Sequence, residues 1–241
     1  MAGVKYRGLD PRTELVRWGL PAIAIGLIVG GTLPAAVTGI ATAMAQNPAS
    51  VPWLFERLFG FMAYIAVAMS VVYGLLLSTK ILDAIAHRPV SFALHQDLAA
   101  FGLGLAGIHG VLLGLDRSVP FTLAEILVPG MAPHAPLAVA ADQVALYLMA
   151  IVTLSFYARR RIGQRTWRTL HYVTFLAFAG STIHGIGAGS DAGSVWVQAL
   201  YLGSMALVAF LLTYRIGISL VERSEHRERE MTAMPGFRRA A

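Results

Sequence analysis

Apolar residues occupy this chain in long runs that contain no charged side chain. Six such runs follow one another, at residues 18–55, 58–79, 98–115, 143–158, 169–190 and 192–214. A helix needs about 20 mostly apolar residues to cross a bilayer, and the third and fourth runs reach that length when they are extended past single polar residues. The pattern predicts six transmembrane helices, spans one to six, at residues 15–45, 54–82, 92–115, 137–159, 167–188 and 195–220.

The first run is longer than one helix requires. We end span one near Ala45, before the helix-breaking segment at residues 46–50. The same segment, with basic residues, an apolar stretch and Ala43-Met44-Ala45, also fits a secretory signal with its cleavage site. We interpret it as a retained transmembrane helix.

Lysine and arginine mark one side of the predicted bundle. Of 19 such residues, 17 fall in the N-terminal tail, the second and fourth loops and the C-terminal end, and only Arg57 and Arg117 fall on the other side. Cytoplasmic loops are enriched in positive charge, so both termini are predicted to face the cytoplasm. The chain then divides into a cytoplasmic tail (1–14), a six-helix transmembrane domain (15–220) and a charged cytoplasmic tail (221–241) that we expect to be solvated or partly disordered.

Composition supports a membrane protein and excludes several other classes. Charged residues make up 13% of the chain and hydrophobic residues 56%, with a mean hydropathy of +0.64, whereas soluble domains carry about 25% charged residues. A soluble enzyme, a disordered protein and a nucleic-acid binder are therefore poor interpretations. Topology and contact with anionic lipid headgroups explain the net charge of +6. The chain has no cysteine, which excludes disulfides, iron–sulfur clusters and thiolate-bound or covalently attached haem.

Four of the seven histidines lie on just two spans: His95 and His109 on span three, His171 and His184 on span five. Ionisable groups inside a membrane are costly and usually mark a functional site. The spacings of 14 and 13 residues correspond to about 21 Å and about 20 Å along a helix. Spans three and five run in the same direction, so His95 is level with His171 and His109 with His184. Two facing imidazole pairs at two depths are the frame that bis-histidine ligation of two haems requires.

The angular positions fit span three better than span five. Fourteen residues return to within about 40° of the starting direction, so His95 and His109 share a face, and Gly102 lies midway on it. A glycine there either lets a flat macrocycle approach the backbone or serves ordinary small-residue helix packing. Thirteen residues end about 220° around an ideal helix. Span five must then be irregular, with Gly180 as the candidate position, or the two haems approach it from different directions.

These residues resemble the haem-binding membrane domain shared by ferric reductases and NADPH oxidases. The stretch from Trp167 through His171 and His184 to Asp191 is similar to the small bacterial ferric reductase-like transmembrane proteins. The resemblance covers about residues 53–215, which is spans two to six. It implies a four-helix haem-binding core in spans two to five, a bacterial inner-membrane location and electron transfer across that membrane.

The resemblance also implies the ligands of two b-type haems, His95 with His171 on the inner side and His109 with His184 on the outer side. Arg57 matches a family arginine near the outer haem and would pair with a propionate, or else it anchors the helix at the interface. Candidates for the inner propionates, each with a simple topology charge as the alternative, are Lys80, His87, Arg88 and Arg168.

The C-terminal end departs from the larger members of that family, which carry a soluble flavin- and nicotinamide-binding dehydrogenase there. Only about twenty residues follow Leu220, and no glycine-rich dinucleotide fingerprint occurs. The chain more closely resembles stand-alone members, such as the haem subunit of the periplasmic methionine sulfoxide reductase system. We expect the electron-transfer (oxidoreductase) subunit of a multi-protein system, which takes electrons from quinol or a separate flavoprotein and passes them to an outer-face acceptor.

Two other functions stay open at this point. A haem-free structural subunit of a larger membrane complex would keep the inherited helical frame. A transporter that relays protons through intramembrane histidines would be expected to have inverted repeats or broken helices, which the sequence does not indicate.

The remaining polar and aromatic residues have simpler expected roles. Phe178 would pack between the macrocycles or fill the core. His134, in the outer loop at residues 129–136, is a solvated residue, or its loop folds over the outer haem or docks a partner. Four aspartates near helix ends are expected to be solvated: Asp97, Asp116, Asp142 and Asp191.

Overall fold

The structure, a computed structural model, describes residue 42 and residues 51–84, 87–116 and 120–233. This part of the chain is all-helical, as predicted, and contains no strand. Span one (apart from Thr42), Arg117 and both chain ends lie outside the described residues. The helices are α1 (Val51–Ser78), a short 3-10 helix (Ile81–Ala84), α2 (Arg88–Leu115), α3 (Leu123–Leu127), α4 (Pro136–Ile162), α5 (Gln164–His171), α6 (Thr174–Gly187) and α7 (Val195–Ala233).

Helices α1, α2, α4 and α7 are long and apolar enough to cross a membrane. They coincide with spans two, three, four and six, which supports a membrane protein. The expectation for the C-terminal tail is wrong as far as Ala233, because α7 continues 13 residues beyond the predicted end of span six. Ion pairs one turn apart stabilise this solvated extension: His226 with Glu230 (3.2 Å) and Arg229 with Glu225 (3.5 Å).

Helix α4 ends at a glycine. Gly163 has a φ of +85°, a conformation that L side chains rarely adopt, and its N–H donates to the carbonyl of Arg159 (3.1 Å). Arginines 159, 160 and 161 occupy the last turn of α4, where positive charge is favourable beside the partial negative charge of the helix end. The turn at Gly163 starts α5, which carries Trp167 and His171.

Span five is interrupted directly after its first histidine. At Tyr172 and Val173 both backbone conformations are φ −62°, ψ −19°, and the amides of residues 172, 173, 175 and 176 bond to the carbonyl three residues earlier. Such 3-10 geometry turns about 120° per residue instead of about 100°. Four or five such residues add about 80–100°, which brings His184 towards the face of His171.

The predicted irregularity therefore exists, but Gly180 is the wrong position for it. A Cβ at Gly180 would lie 2.6 Å from the carbonyl oxygen of Ala141 and 3.0 Å from Cβ of Ala145. Gly180 instead allows α6 to approach α4 closely, which is the usual role of small residues between helices in lipid.

The core lies between α1, α4, α6 and α7. Ala145 and Ala177 are almost completely buried, and Phe178 stacks on Tyr64 with ring centroids 6.0 Å apart. The hydroxyl of Tyr64 is hydrogen-bonded to the hydroxyls of Thr182 (3.2 Å) and Ser204 (2.6 Å). This network joins α1, α6 and α7, and interhelical hydrogen bonds of this kind stabilise helix association in membranes by about 0.6 kcal/mol on average.

The loop between α2 and α4 carries the short helix α3. Thr122 caps its N-terminus together with Glu125, and the side-chain amide of Gln143 on α4 donates to the carbonyls of Glu125 and Ile126 (both 2.7 Å). The hydroxyl of Tyr147 donates to the carbonyl of Leu127. A five-residue helix leaves its carbonyls without intrahelical partners, so α4 fixes α3 in place.

Candidate cofactor site

The structure brings the four histidines together as two pairs. The ring centroids of His95 and His171 are 5.9 Å apart, and those of His109 and His184 are 6.2 Å apart. The ring planes cross at 78° and 73° respectively. All four residues are half-buried. Helix α2 supplies one member of each pair, and the partners come from the end of α5 and from α6.

The two histidines of α2 are anchored to backbone carbonyls of α1. Nδ1 of His95 lies 2.8 Å from the carbonyl oxygen of Ser70, and Nδ1 of His109 lies 2.8 Å from that of Glu56. A carbonyl oxygen only accepts, so Nδ1 carries the proton and donates in both cases. Nε2 then keeps its lone pair, which is the form of a metal-ligating imidazole whose other nitrogen is held by a carbonyl.

Two glycines of α1 make room for these rings. A Cβ at Gly74 would lie 3.1 Å from Cε1 of His95, and a Cβ at Gly60 would lie 3.1 Å from Nδ1 of His109. Each glycine follows the accepting carbonyl by four residues, and helical Cβ atoms lean towards the N-terminus. A side chain at either position would therefore cover the carbonyl that the histidine reaches.

Gly102 belongs to the same seam. A Cβ there would lie 3.0 Å from Cγ2 of Val67 on α1. The contacts 60–109, 67–102 and 74–95 are spaced seven residues apart on both antiparallel helices, which is two helical turns. This placement favours the helix-packing alternative for Gly102, which lines neither of the cavities described below.

Sequence reasoning missed Gly60 and Gly74. The signal was present, because span two repeats a glycine at the 14-residue spacing that separates His95 from His109.

The partner histidines have no such anchor. Nδ1 of His171 and Nδ1 of His184 are buried without a hydrogen-bond partner among the described residues, and so is Nε1 of Trp167. The indole ring of Trp167 stacks on His171, with centroids 5.1 Å apart and planes 26° apart. Trp167 therefore orients the imidazole of His171 by ring contact, where α1 orients the α2 histidines by hydrogen bonds.

The donor set fits a metal that already carries equatorial ligands. Imidazole–metal bonds of about 2.0 Å on opposite sides of one ion place the two ring centroids about 6.3 Å apart, close to both separations in the structure. No group of three or more His, Asp or Glu residues able to hold a bare ion occurs in the described part of the chain. A porphyrin supplies four nitrogens itself, so two imidazoles complete its metal.

Each pair lies in a cavity of its own, with Val67 and Met149 at the boundary of both. The inner cavity, around His95 and His171, has a volume of about 610 Å³, and the outer cavity, around His109 and His184, has about 360 Å³. Binding pockets for small molecules and cofactors range from about 300 to 1,000 Å³.

The two cavities carry opposite charge. Arg168, Arg215 and Arg223 line the inner cavity, and no carboxylate of the described chain does. The outer cavity has Arg57 as its only arginine or lysine within the described residues, against four carboxylates: Glu56, Asp116, Asp142 and Asp191.

The predicted anion-binding residues are placed unevenly. Arg57 lines the outer cavity, where it is ion-paired with Asp191 and lies over the ring of Trp53 (4.1 Å to the centroid). Of the inner candidates, Arg168 lines the inner cavity. Lys80, His87 and Arg88 do not, and Arg88 is paired with Asp83 at 3.1 Å. Sequence reasoning assigned Arg215 and Arg223 to membrane topology alone and so missed their position.

Three of the four aspartates are not solvated as expected. Asp97 is exposed, but Asp116 is buried, Asp142 accepts a hydrogen bond from Ser181 (2.7 Å), and Asp191 is paired with Arg57. The expectation was wrong because these positions face the outer cavity between helices. Phe178 is buried in the core and lines neither cavity, and His134 is exposed at the outer cavity.

Comparison of the chain with protein-family models, curated proteins and solved structures finds no significant match. The geometry of the two histidine pairs is therefore the main guide to function.

Proposed function

We propose that the protein is a membrane-embedded dihaem b-type cytochrome of the ferric reductase-like type. It carries electrons across the membrane from a cytoplasmic-side or quinol donor to an outer-face acceptor. One observation carries the proposal: two histidine pairs have ring centroids 5.9 and 6.2 Å apart, and in each pair the α2 member is anchored through Nδ1.

The residues have distinct roles in this function. His95 and His171 would hold the inner haem, and His109 and His184 the outer haem. The haem iron supplies reversible one-electron transfer when bound. The α1 carbonyls keep His95 and His109 in the ligating tautomer and increase their basicity. Since two imidazoles fill both axial positions, the acceptor is expected to react at the exposed edge of the outer site.

The proposal includes an orientation and a location. All six predicted spans cross a bacterial inner membrane, both termini face the cytoplasm, and spans two to five, represented by α1, α2, α4 and the α5–α6 pair, form the haem core. The distribution of 17 against two basic residues supports this orientation. The arginine-lined cavity is then on the cytoplasmic side and the carboxylate-lined cavity on the outer side.

Optical spectroscopy of the purified protein tests the proposal. A reduced-minus-oxidised spectrum should show a sharp b-type α-band, and the pyridine haemochrome content should be two haems per chain. A flat spectrum from protein produced with ample haem supply would favour the haem-free structural subunit instead.

Single histidine variants test the assignment of ligands. His109→Ala or His184→Ala should halve the haem content and spare the inner site, and His95→Ala should spare the outer site. His226→Ala, on the exposed extension of α7, is the matched control and should keep both haems.

Partners follow from what the described residues offer. The outer cavity, with His134 at the surface and four carboxylates, would meet the outer-face acceptor protein. The donor, quinol or a flavoprotein, would act at the arginine-lined side. A search for co-purifying proteins under mild detergent tests this directly.

A further inference from the structure

Arg215 occupies an unusual position for a charged residue. It interrupts an apolar stretch that runs from Ala192 to Val221 on α7. Tyr201 of α7 contacts Gly185 of α6, and Arg215 and His171 each lie 14 residues further along these antiparallel helices. Arg215 is therefore near the level of His171, half-buried, and lines the same inner cavity.

The described chain provides no counter-charge for this guanidinium. No carboxylate lines the inner cavity, and the salt bridges within the described residues do not include Arg215. A charged side chain in a transmembrane helix is costly unless it is paired, and it usually marks a binding site. An anion bound in the cavity would supply the missing partner.

A second group in this cavity points to the same kind of ligand. Nε1 of Trp167 is buried and has no acceptor among the described residues, although buried indole N–H groups normally have one. Arg168, one residue further along α5, lines the cavity too. Two guanidinium groups and an indole N–H, all donors, thus line one cavity.

The rest of the cavity wall is apolar. Val71, Leu75, Phe92 and Phe175 line the part that leads inward from Val67 and Met149. A ligand with a flat apolar body and acidic groups at one edge matches this division of the lining.

We propose that Arg168, Arg215 and Nε1 of Trp167 form a carboxylate-binding end of the inner cavity that holds the propionates of the inner haem. The inference rests on the proposed function and deepens it, because it orients the group in the cavity. Guanidinium groups pair with carboxylates through two parallel hydrogen bonds. The outer cavity has no equivalent, since its single arginine is already paired with Asp191.

The first experiment removes the charge of Arg215 from the full-length protein. A nearby positive charge stabilises the reduced state, so Arg215→Gln should shift the inner haem to a more negative midpoint potential and leave the outer haem unchanged. The inner component is identified by its loss in His95→Ala. Arg227→Gln removes the same charge from the exposed part of α7 and should shift neither component.

The second experiment removes the carboxylates from the ligand. Apo-protein reconstituted with haem dimethyl ester, which lacks both carboxylates, should bind it at the inner site at least tenfold more weakly than haem b. With the ester, Arg215→Gln and the unchanged protein should titrate at the same inner potential. The affinity comparison needs no variant, so it decides the question even where Arg215→Gln fails to assemble.

Two results would overturn the inference while leaving the proposed function standing. An unchanged inner potential in Arg215→Gln loaded with haem b would mean that the arginine only extends to the interface. A shift that persists with the ester would mean that it binds another anion, such as a lipid phosphate. Absence of any b-type spectrum in the unchanged protein would overturn the proposed function itself.

Discussion

Gly74 of α1 and His95 of α2 are in direct contact, and the glycine gives the imidazole access to the carbonyl of Ser70. Gly60 and His109 repeat the relationship 14 residues away along both helices. The sites are thus built by α1 as much as by the helices that carry the ligands.

Replacement of these glycines should remove one site at a time. Gly74→Ala places a methyl group 3.1 Å from Cε1 of His95, and such overpacking costs about 1–3 kcal/mol. We expect loss or weakening of the inner haem, and Gly60→Ala should do the same to the outer haem, both measured by haem content and by the spectrum. Gly104→Ala, where the added methyl group meets nothing within 4 Å, is the control. Normal haem binding in both niche variants would contradict this role of α1.

The ion pair between Arg57 and Asp191 should stabilise the outer end of the molecule. Both side chains are about three-quarters buried, with 26% and 29% exposed, and partly buried pairs lie between exposed pairs, at about 0.2–1 kcal/mol, and buried ones, at about 3–5 kcal/mol. We expect Asp191→Asn to lower the free energy of unfolding in detergent by about 1–3 kcal/mol.

A double-mutant cycle with Arg57→Gln isolates the coupling between the two residues. Asp83→Asn, which breaks the more exposed pair with Arg88, should cost less than about 1 kcal/mol. Equal effects of the two aspartate substitutions would argue against a special role for the outer pair.

Gly180 and Gly203 should respond in opposite directions to the same substitution. An added methyl group at Gly180 would be 2.6 Å from the carbonyl oxygen of Ala141, but at Gly203 it would meet nothing within 4 Å. Gly180→Ala should destabilise the protein by about 1–3 kcal/mol, whereas Gly203→Ala should be neutral or stabilise it by up to about 1 kcal/mol. Thermal unfolding in detergent distinguishes the two, and a neutral Gly180→Ala would mean that α4 and α6 are further apart than the structure has them.

The cap of α3 should respond to pH. The backbone N–H of Thr122, followed by its hydroxyl, lowers the pKa of Glu125 below its ordinary value of 4.5. A lowered pKa means that the carboxylate contributes stability above its unfolded-state pKa and loses it as the pH falls through the folded-state value. The stability difference between the unchanged protein and Glu125→Gln should therefore shrink below about pH 4.5. Glu228→Gln, on the exposed end of α7, should show no such change.

Hydropathy and histidine spacing predicted much of what the structure contains. Four spans were predicted as helices close to their observed bounds, because a 20-residue apolar run has few other structures open to it in lipid. The irregularity of span five followed from the 13-residue spacing, but its position depends on local hydrogen bonds at Tyr172 and Val173, which periodicity does not reveal.

Other features depended on which helix faces which. Glycines in span two gain meaning only when α1 is placed antiparallel to α2 in one register. Arg215 has the sequence context of a topology charge, and only the position of α7 against α6 brings it to the inner cavity. Asp116 and Asp142 were misjudged for the same reason: a place near a helix end does not state what lies opposite it.

The seven-residue repetition of contacts between α1 and α2 has a mechanical consequence. Sliding one helix along the other by a single residue, about 1.5 Å, would break the contacts at Gly60, Val67 and Gly74 together. The vertical distance between the two imidazole pairs is therefore fixed by a continuous pair of rigid rods. A protein that docks on either side of the membrane can tilt or shield one site without changing how far an electron must travel to the other.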